Sequence, residues 1–232
     1  MHVTAIVPAA GGGTRMAAGV PKQYLPLAGV PLLTHTLKAL RAAGCVDSLV
    51  LVIPPSHEER CRREVLDPFG LTVDALVAGG EDRQASVHAG LLRSPAETDL
   101  FLIHDGARPF VAPAVVQAAV SAAAESGGAV VAIAVTDTIK MADRDGRVVE
   151  SPPRGRLWAA QTPQVFRAAL LRQAHEAALR DGFRGTDDSA LVERLGHPVQ
   201  LVAGSPENLK ITTTADLVLA DQILRAREAQ MG

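Results

Sequence analysis

Val3-Thr4-Ala5-Ile6-Val7-Pro8-Ala9-Ala10-Gly11-Gly12-Gly13-Thr14-Arg15-Met16 decides how the rest of the chain is read. A short, continuous apolar run empties into small residues, the pattern of a parallel strand buried on both faces and ending in a loop. Successive small residues let backbone N–H groups turn into one concavity, which binds anions. The loop carries Arg15 and, after Pro21, Lys22, and no acidic residue precedes Asp47. A donor-rich, purely cationic loop at a strand end suits a polyphosphate. The plainer alternative is a glycine-rich turn between a strand and a helix.

Two familiar glycine motifs fail here. The P-loop needs Gly-Lys-Ser/Thr, whereas Lys22 lies between Pro21 and Gln23. The dinucleotide fingerprint needs a third glycine where Met16 stands, and an acid about twenty residues on that is missing. A nicotinamide dehydrogenase is excluded on that ground.

With 232 residues, 47% of them hydrophobic but only 3% aromatic, the chain suits one α/β domain with a core of Ala, Val and Leu. The net charge of −2 leaves no electrostatic footprint for nucleic acid, so anion binding must be local. Two cysteines, Cys45 and Cys61, suit a reduced cytoplasmic protein without a disulfide. No signal peptide and no membrane span are read.

Apolar runs at Val3–Val7, Ser48–Ile53, Thr72–Val77, Leu100–His104 and Ala129–Val135 read as strands. Between them, helical patterns cover Pro31–Arg41, with Pro31 in its first turn, a charged helix capped by Ser56, residues 85–92, and Pro113–Glu125. Such alternation predicts a Rossmann-like, doubly wound, mostly parallel sheet. At Thr136 the rhythm breaks. Asp143-Arg144-Asp145-Gly146 between two alternating runs signals a hairpin, and Ser151-Pro152-Pro153-Arg154-Gly155-Arg156 is no core sequence. Residues 136–158 are therefore expected to project as a β-arm from a single domain spanning 1–232. A lone ribbon is marginal, so the arm of a second subunit is its simplest support. The pattern then resumes with an amphipathic Val165–Arg180, a helix Asp187–Leu195 capped by Thr186, a strand Val199–Val202, and a closing helix Thr214–Arg227.

Ligands of open α/β sheets bind at the carboxyl ends of the strands. Pro8–Lys22, Gly79–Arg83, Asp105–Arg108, Thr136–Lys140 and Thr212 all fall there. Asp105 can bind Mg²⁺ directly or through water, accept from a hydroxyl, or simply cap the turn before Pro109. Arg108 can grip a phosphate or face solvent. Lys210, alone between Leu209 and Ile211, must snorkel or meet a charge. Thr186-Asp187-Asp188 reads first as a helix cap, and Thr162-Pro163 as a turn. His35 and His175 are expected to pack or to lie at the surface, and His104 to be buried at a strand end. Nothing has the order of a covalent nucleophile with its base.

These blocks resemble the signature of the 2-C-methyl-D-erythritol 4-phosphate cytidylyltransferases. The first block, with Pro21-Lys22-Gln23-Tyr24, is joined by Gly79-Gly80-Glu81-Asp82-Arg83 with Ser86-Val87, and by His104-Asp105-Gly106-Ala107-Arg108-Pro109. Then come Asp137-Thr138-Ile139-Lys140, Trp158-Ala159-Ala160-Gln161-Thr162-Pro163-Gln164, Thr186-Asp187-Asp188 and Asn208-Leu209-Lys210-Ile211-Thr212. Glu81 stands where some members carry Asp, and Gly106 where some carry Ala.

The resemblance implies transfer of CMP from CTP to the methylerythritol phosphate, with loss of pyrophosphate, in non-mevalonate isoprenoid synthesis. It also implies Mg²⁺ or another divalent cation, and a cytoplasmic homodimer joined through the arm. Arg15, Lys22 and Lys210 would be catalytic. Ala9, Ala10, Gly11, Gly12, Gly80, Glu81, Ser86 and Asp105 would hold the nucleotide. Asp105, Arg108, Thr138, Arg154, Thr162 and Thr186 would hold the sugar phosphate, Thr138 and Arg154 coming from the partner's arm. A ribitol 5-phosphate or other polyol-phosphate cytidylyltransferase is the alternative enzyme, and a non-catalytic nucleotide-binding protein the alternative class.

Overall fold

The computed structural model describes residues 1–11 and 21–231. Gly12 and Arg15, both expected at the nucleotide, lie outside the described residues. In chain order the strands and helices are β1 (Val3–Pro8), β2 (Pro26–Leu27), β3 (Val30–Pro31), α1 (Leu32–Ala42), β4 (Ser48–Ile53), α2 (Glu58–Cys61), β5 (Ala75–Ala78) and α3 (Arg83–Leu92). The second half holds β6 (Leu100–Ile103), α4 (Pro113–Ser126), β7 (Gly128–Ala134), β8 (Met141–Ala142), β9 (Val148–Glu150), β10 (Trp158–Arg167), α5 (Ala168–Arg180), α6 (Asp188–Arg194), β11 (Gln200–Ala203) and α7 (Thr214–Met231).

Among the described residues the main sheet has seven strands in the order β11-β7-β10-β6-β1-β4-β5. All neighbours run parallel except β10, which is antiparallel to both β6 and β7. Side chains alternate between two cores, as the strand period requires. Val3, Ala5 and Val7 of β1 join Leu33, Leu37 and Leu40 of α1 on one face. On the other, Ile6 packs with Phe101, Phe166 and Leu171. A third cluster of Leu27, Leu32, Phe110, Ile211 and Ala220 ties α7 to the sheet margin.

The structure corrects several expectations. Trp158–Arg167 is a ten-residue strand in the middle of the sheet, and the helix begins only at Ala168. Pro163 disguises it, because proline cannot donate to a ladder. A register shift between Ala160 and Gln164 lifts Thr162-Pro163 out of the pairing with β7. β7 and β10 are thus antiparallel neighbours, and residues 135–157 are the long connection between them. Val135 N–H extends that pairing to Leu157 O at 3.1 Å. The ribbon β8–β9 at its tip is exposed throughout, its strands shorter than the two alternating runs suggested.

Three helix starts also differ. Asp187, not Thr186, caps α6, its carboxylate accepting from Ala190 N–H at 3.0 Å. Ser56 does not cap α2, which starts at Glu58 with His57 before it and no side-chain cap. Pro31 precedes α1 as its cap residue and ends β3.

Candidate active site

A cavity of about 250 Å³ opens at the carboxyl ends of β1, β5 and β6, the sheet edge expected from the motif positions. Ala9, Ala10, Gly11 and Lys22 line one side, Gly80, Glu81 and Ser86 another, with Asp105 and Lys210 completing it. Small residues make this closeness feasible. A Cβ on Gly79 would overlap that of Ala10, so the loops after β1 and β5 can touch only because Gly79 has none. Gly106 approaches Ala9 similarly, with 3.0 Å from a built Cβ to that of Ala9. The concavity is less bare than its composition suggests, because Ala9 N–H is committed to Val52 O at 2.7 Å. Ser86 acts through the backbone: its hydroxyl accepts from Gly80 N–H at 3.2 Å and donates to Asp82 O at 2.8 Å. Glu81 sits at the rim, paired with Arg184 at 2.7 Å.

Asp105 is the electrostatic hub. Arg83 Nε donates to its Oδ1 at 3.0 Å, Lys210 Nζ lies 2.8 Å from Oδ2, and Arg108 Nε is 3.7 Å from Oδ2. Burial would raise the carboxyl's pKa, but Arg83, Lys210 and Arg108 outweigh it and hold the group well below the usual carboxylate range. Arg83 also donates from Nη1 to the buried Asp188 at 2.7 Å, and His175 Nε2 meets the other Asp188 oxygen at 3.1 Å. Burial opposes the charge on Arg83; Asp188 and Asp105 overcome it and raise its pKa. The site is therefore a lattice of alternating charges.

A neutral relay fixes the hub from behind. Asp105 N–H donates to Thr162 Oγ1 at 3.0 Å, Thr162 meets His104 Nδ1 at 3.1 Å, and His104 Nε2 meets Arg108 O at 3.0 Å. The bonds are mutually consistent if Nε2 carries the proton, since Nδ1 then accepts from the threonine hydroxyl. Burial supports the neutral ring by pushing the His104 pKa down to about 4. Asn208 joins the Lys210 segment to this unit, donating to Thr162 O at 2.8 Å and accepting from Arg108 Nη1 through its backbone at 2.6 Å. Ile211 N–H reaches Ala107 O at 2.9 Å. Lys210 is aimed by a segment anchored on both sides.

Other expected sugar-phosphate residues stand apart from this cavity. Arg108 and Thr162 are buried behind Asp105. Thr186 is exposed before α6, and Thr138 and Arg154 are exposed on the 136–158 segment. Arg154 Nη1 donates to Thr136 O at 2.6 Å. Arg83, which the sequence shows only as the last residue of a motif, is the bridge between the two buried carboxylates. Its signal was a cation one residue past a helix cap at a strand-end loop. Gln23 also lines the cavity.

For a metal, Asp105 is the carboxylate at the cavity floor and is held ionised, as a hard cation requires. Asp82 caps α3 through Ala85 N–H at 2.8 Å. Among the described residues no group of three or more His, Cys, Asp or Glu could build a metal cage. The donor set fits an ion brought with phosphate oxygens, which need few protein ligands.

Sheet topology and a strand-end cavity lined by Lys22, Arg83 and Lys210 around Asp105 define a Rossmann-like fold, and its relatives make the class that of the nucleotidyltransferases. The sequence model of the family IspD: 2-C-methyl-D-erythritol 4-phosphate cytidylyltransferase matches residues 3–226. The 2-C-methyl-D-erythritol 4-phosphate cytidylyltransferase of Pelotomaculum thermopropionicum is 46% identical, covering 99% of this chain and 97% of its own. That of Geotalea uraniireducens is 48% identical over 97% and 98%. The crystal structure of the Thermus thermophilus enzyme of that name superposes with a TM-score of 0.80 at 38% identity, covering 97% of this chain and 100% of that one. A 4-diphosphocytidyl-2C-methyl-D-erythritol synthase of Anaerococcus prevotii gives 0.86 at 29% identity, covering 97% and 98%. The chain belongs to the 2-C-methyl-D-erythritol 4-phosphate cytidylyltransferase family. Among the described residues, no helix is long and apolar enough to cross a membrane.

Proposed function

We propose that this protein transfers the cytidylyl group of CTP to 2-C-methyl-D-erythritol 4-phosphate, releasing pyrophosphate, in non-mevalonate isoprenoid synthesis. The observation that carries the reading is Lys210 meeting Asp105 in a cavity that Lys22 and the loops after β1 and β5 also line. A phosphate oxygen of the acceptor forms a bond to the α-phosphorus of CTP. The bond from that phosphorus to the bridging oxygen breaks, and its electrons leave on pyrophosphate. The nucleophile is already an anion, so no general base is needed. The barrier is the approach of two anions, which preorganised cations lower.

Lys22, Lys210 and Arg15 are assigned to the triphosphate and its developing charge. Ala9, Ala10, Gly11, Gly12, Gly80, Glu81 and Ser86 are assigned to the nucleoside, largely through backbone. Asp105, ionised at neutral pH, accepts from a substrate hydroxyl; Arg108, Thr162 and Thr186 shape the sugar-phosphate side. Asp105 would hold Mg²⁺, which when bound supplies neutralising charge to the phosphate oxygens. Thr138 and Arg154 are assigned to the partner's site in a homodimer. Support for that comes from exposed apolar side chains on the arm, among them Met141, Val148, Val149 and Trp158. A reduced cytoplasm suits the free Cys45 and Cys61.

Pyrophosphate release, followed with CTP, Mg²⁺ and the methylerythritol phosphate singly and together, tests the reaction. Release is expected only with all three. Equal or faster release with ribitol 5-phosphate would reassign the polyol, and nucleotide binding without release under any combination would make the protein a non-catalytic binder.

A further inference from the structure

We propose that Gln23 is a further substrate contact, its carboxamide donating to a phosphate oxygen of the bound nucleotide; this rests on the nucleotide reading of the cavity. Gln23 lines that cavity beside Lys22 yet is only 3% exposed. Its Nε2 and Oε1 are both buried without a hydrogen-bond partner among the described residues. An amide carries two donors and an acceptor, and leaving them unpaired in the interior is costly. Buried polar groups are nearly always paired, so an unpaired one at a cavity wall points to a partner supplied from the cavity.

The backbone under Gln23 cannot easily move to release that cost. Tyr24 N–H donates to Pro21 O at 3.0 Å and Leu25 N–H to Lys22 O at 3.1 Å, closing the turn. The Tyr24 ring is pinned on α2, with the Arg60 guanidinium 4.3 Å from its centre and the His57 ring 5.7 Å away. Only the side chain is adjustable, and the last torsion of glutamine is broad and soft. Among the described residues nothing that lines the cavity is hydrogen-bonded to the amide. Lys22 and Lys210 are donors themselves, and the lining carboxylates already have partners: Asp105 in Arg83 and Lys210, Glu81 in Arg184, and Asp82 in the Ala85 N–H. A ligand seated in the cavity brings such an acceptor, and the lysines that line the same cavity suit an anionic one. A phosphate oxygen of a nucleoside triphosphate meets both conditions.

Gln23→Met keeps length and removes the polar atoms, so binding and stability should move in opposite directions. Without ligand, the variant is expected to melt about 2–4 °C above wild type, since it buries no unpaired amide. Its KM for CTP is expected to rise about ten-fold, with the KM for the acceptor unchanged. In the wild type, the Gln23 side-chain amide NMR signals are expected to shift on adding CTP, a readout that needs no variant. An unchanged KM for CTP with unmoved amide signals would overturn the assignment, whichever way the melting temperature went. Failure of wild-type protein to bind CTP would instead remove the nucleotide reading, and this inference with it.

Discussion

Lys210 Nζ lies 2.8 Å from Asp105 Oδ2, joining the loop after β6 to the segment before α7. The pair does not stand alone, because Arg83 holds the other oxygen of the same carboxylate. Removing Lys210 therefore leaves Asp105 with Arg83 while taking away the cation that lines the cavity beside it. Lys210→Ala is expected to lower kcat/KM about 10²–10³-fold, read by pyrophosphate release, with the folded state retained by circular dichroism. Full activity in that variant would remove Lys210 from the mechanism.

Asp105→Asn acts on stability as well as on chemistry. It deletes the charge on which Arg83, Lys210 and Arg108 converge, leaving the buried Arg108 without its carboxylate and Arg83 with Asp188 alone. Breaking a buried pair in this way costs about 3–5 kcal/mol. Urea denaturation should report a loss of that order at pH 7. A much smaller loss would mean that Asp188 alone suffices for Arg83.

Thr162 touches the backbone of Asp105 rather than the cavity, so its hydroxyl should matter through position. Thr162→Ser keeps the hydroxyl and is expected to stay within a few-fold of wild type. Thr162→Val leaves Asp105 N–H and His104 Nδ1 without their partner and is expected to lower kcat more than it raises the KM for CTP. Equal behaviour of the two variants in steady-state kinetics would dismiss the relay.

Stability should also fall on mild acidification. His104 is held near 4 when folded, against 6.5 in the free side chain. Between those values the unfolded chain binds the extra proton, so stability is complete above about pH 6.5 and is lost as pH falls toward 4. The full window is worth about 3 kcal/mol. Denaturation midpoints measured across it should decline, and His104→Gln should flatten the decline. An unaltered slope in the variant would assign the effect to other groups.

The arm carries its own prediction. Deleting residues 138–155, with a short turn in their place, should leave the β7–β10 pairing intact. Light scattering is expected to show a dimer for the full chain and a weakened one after the deletion. An equally stable dimer would place the subunit contact elsewhere.

Much of the frame was legible because local patterns carry it. The runs at Val3–Val7, Ser48–Ile53 and Leu100–His104 are continuous and apolar, and the first and last of them empty into loops of the cavity. β10 was hidden because Pro163, which cannot donate to a ladder, interrupts the run. Only antiparallel neighbours on both sides, and the bulge, make a strand of it. The cap of α6 was misplaced by one residue, since Thr186 and Asp187 are chemically equivalent candidates until the backbone chooses between them.

By itself the sequence determined the parts this chemistry draws on: a loop of small residues, cations placed at strand ends, and Asp105 at the end of an apolar strand. Periodicity and composition decide such things within a few residues of chain. What Asp105 meets was decided only by tertiary structure. Arg83, Lys210 and Thr162 arrive from three separate elements, and no local pattern encodes a distance between elements. The lattice of charges exists because the chain brings those elements to one edge of the sheet, where burial makes each pairing obligatory.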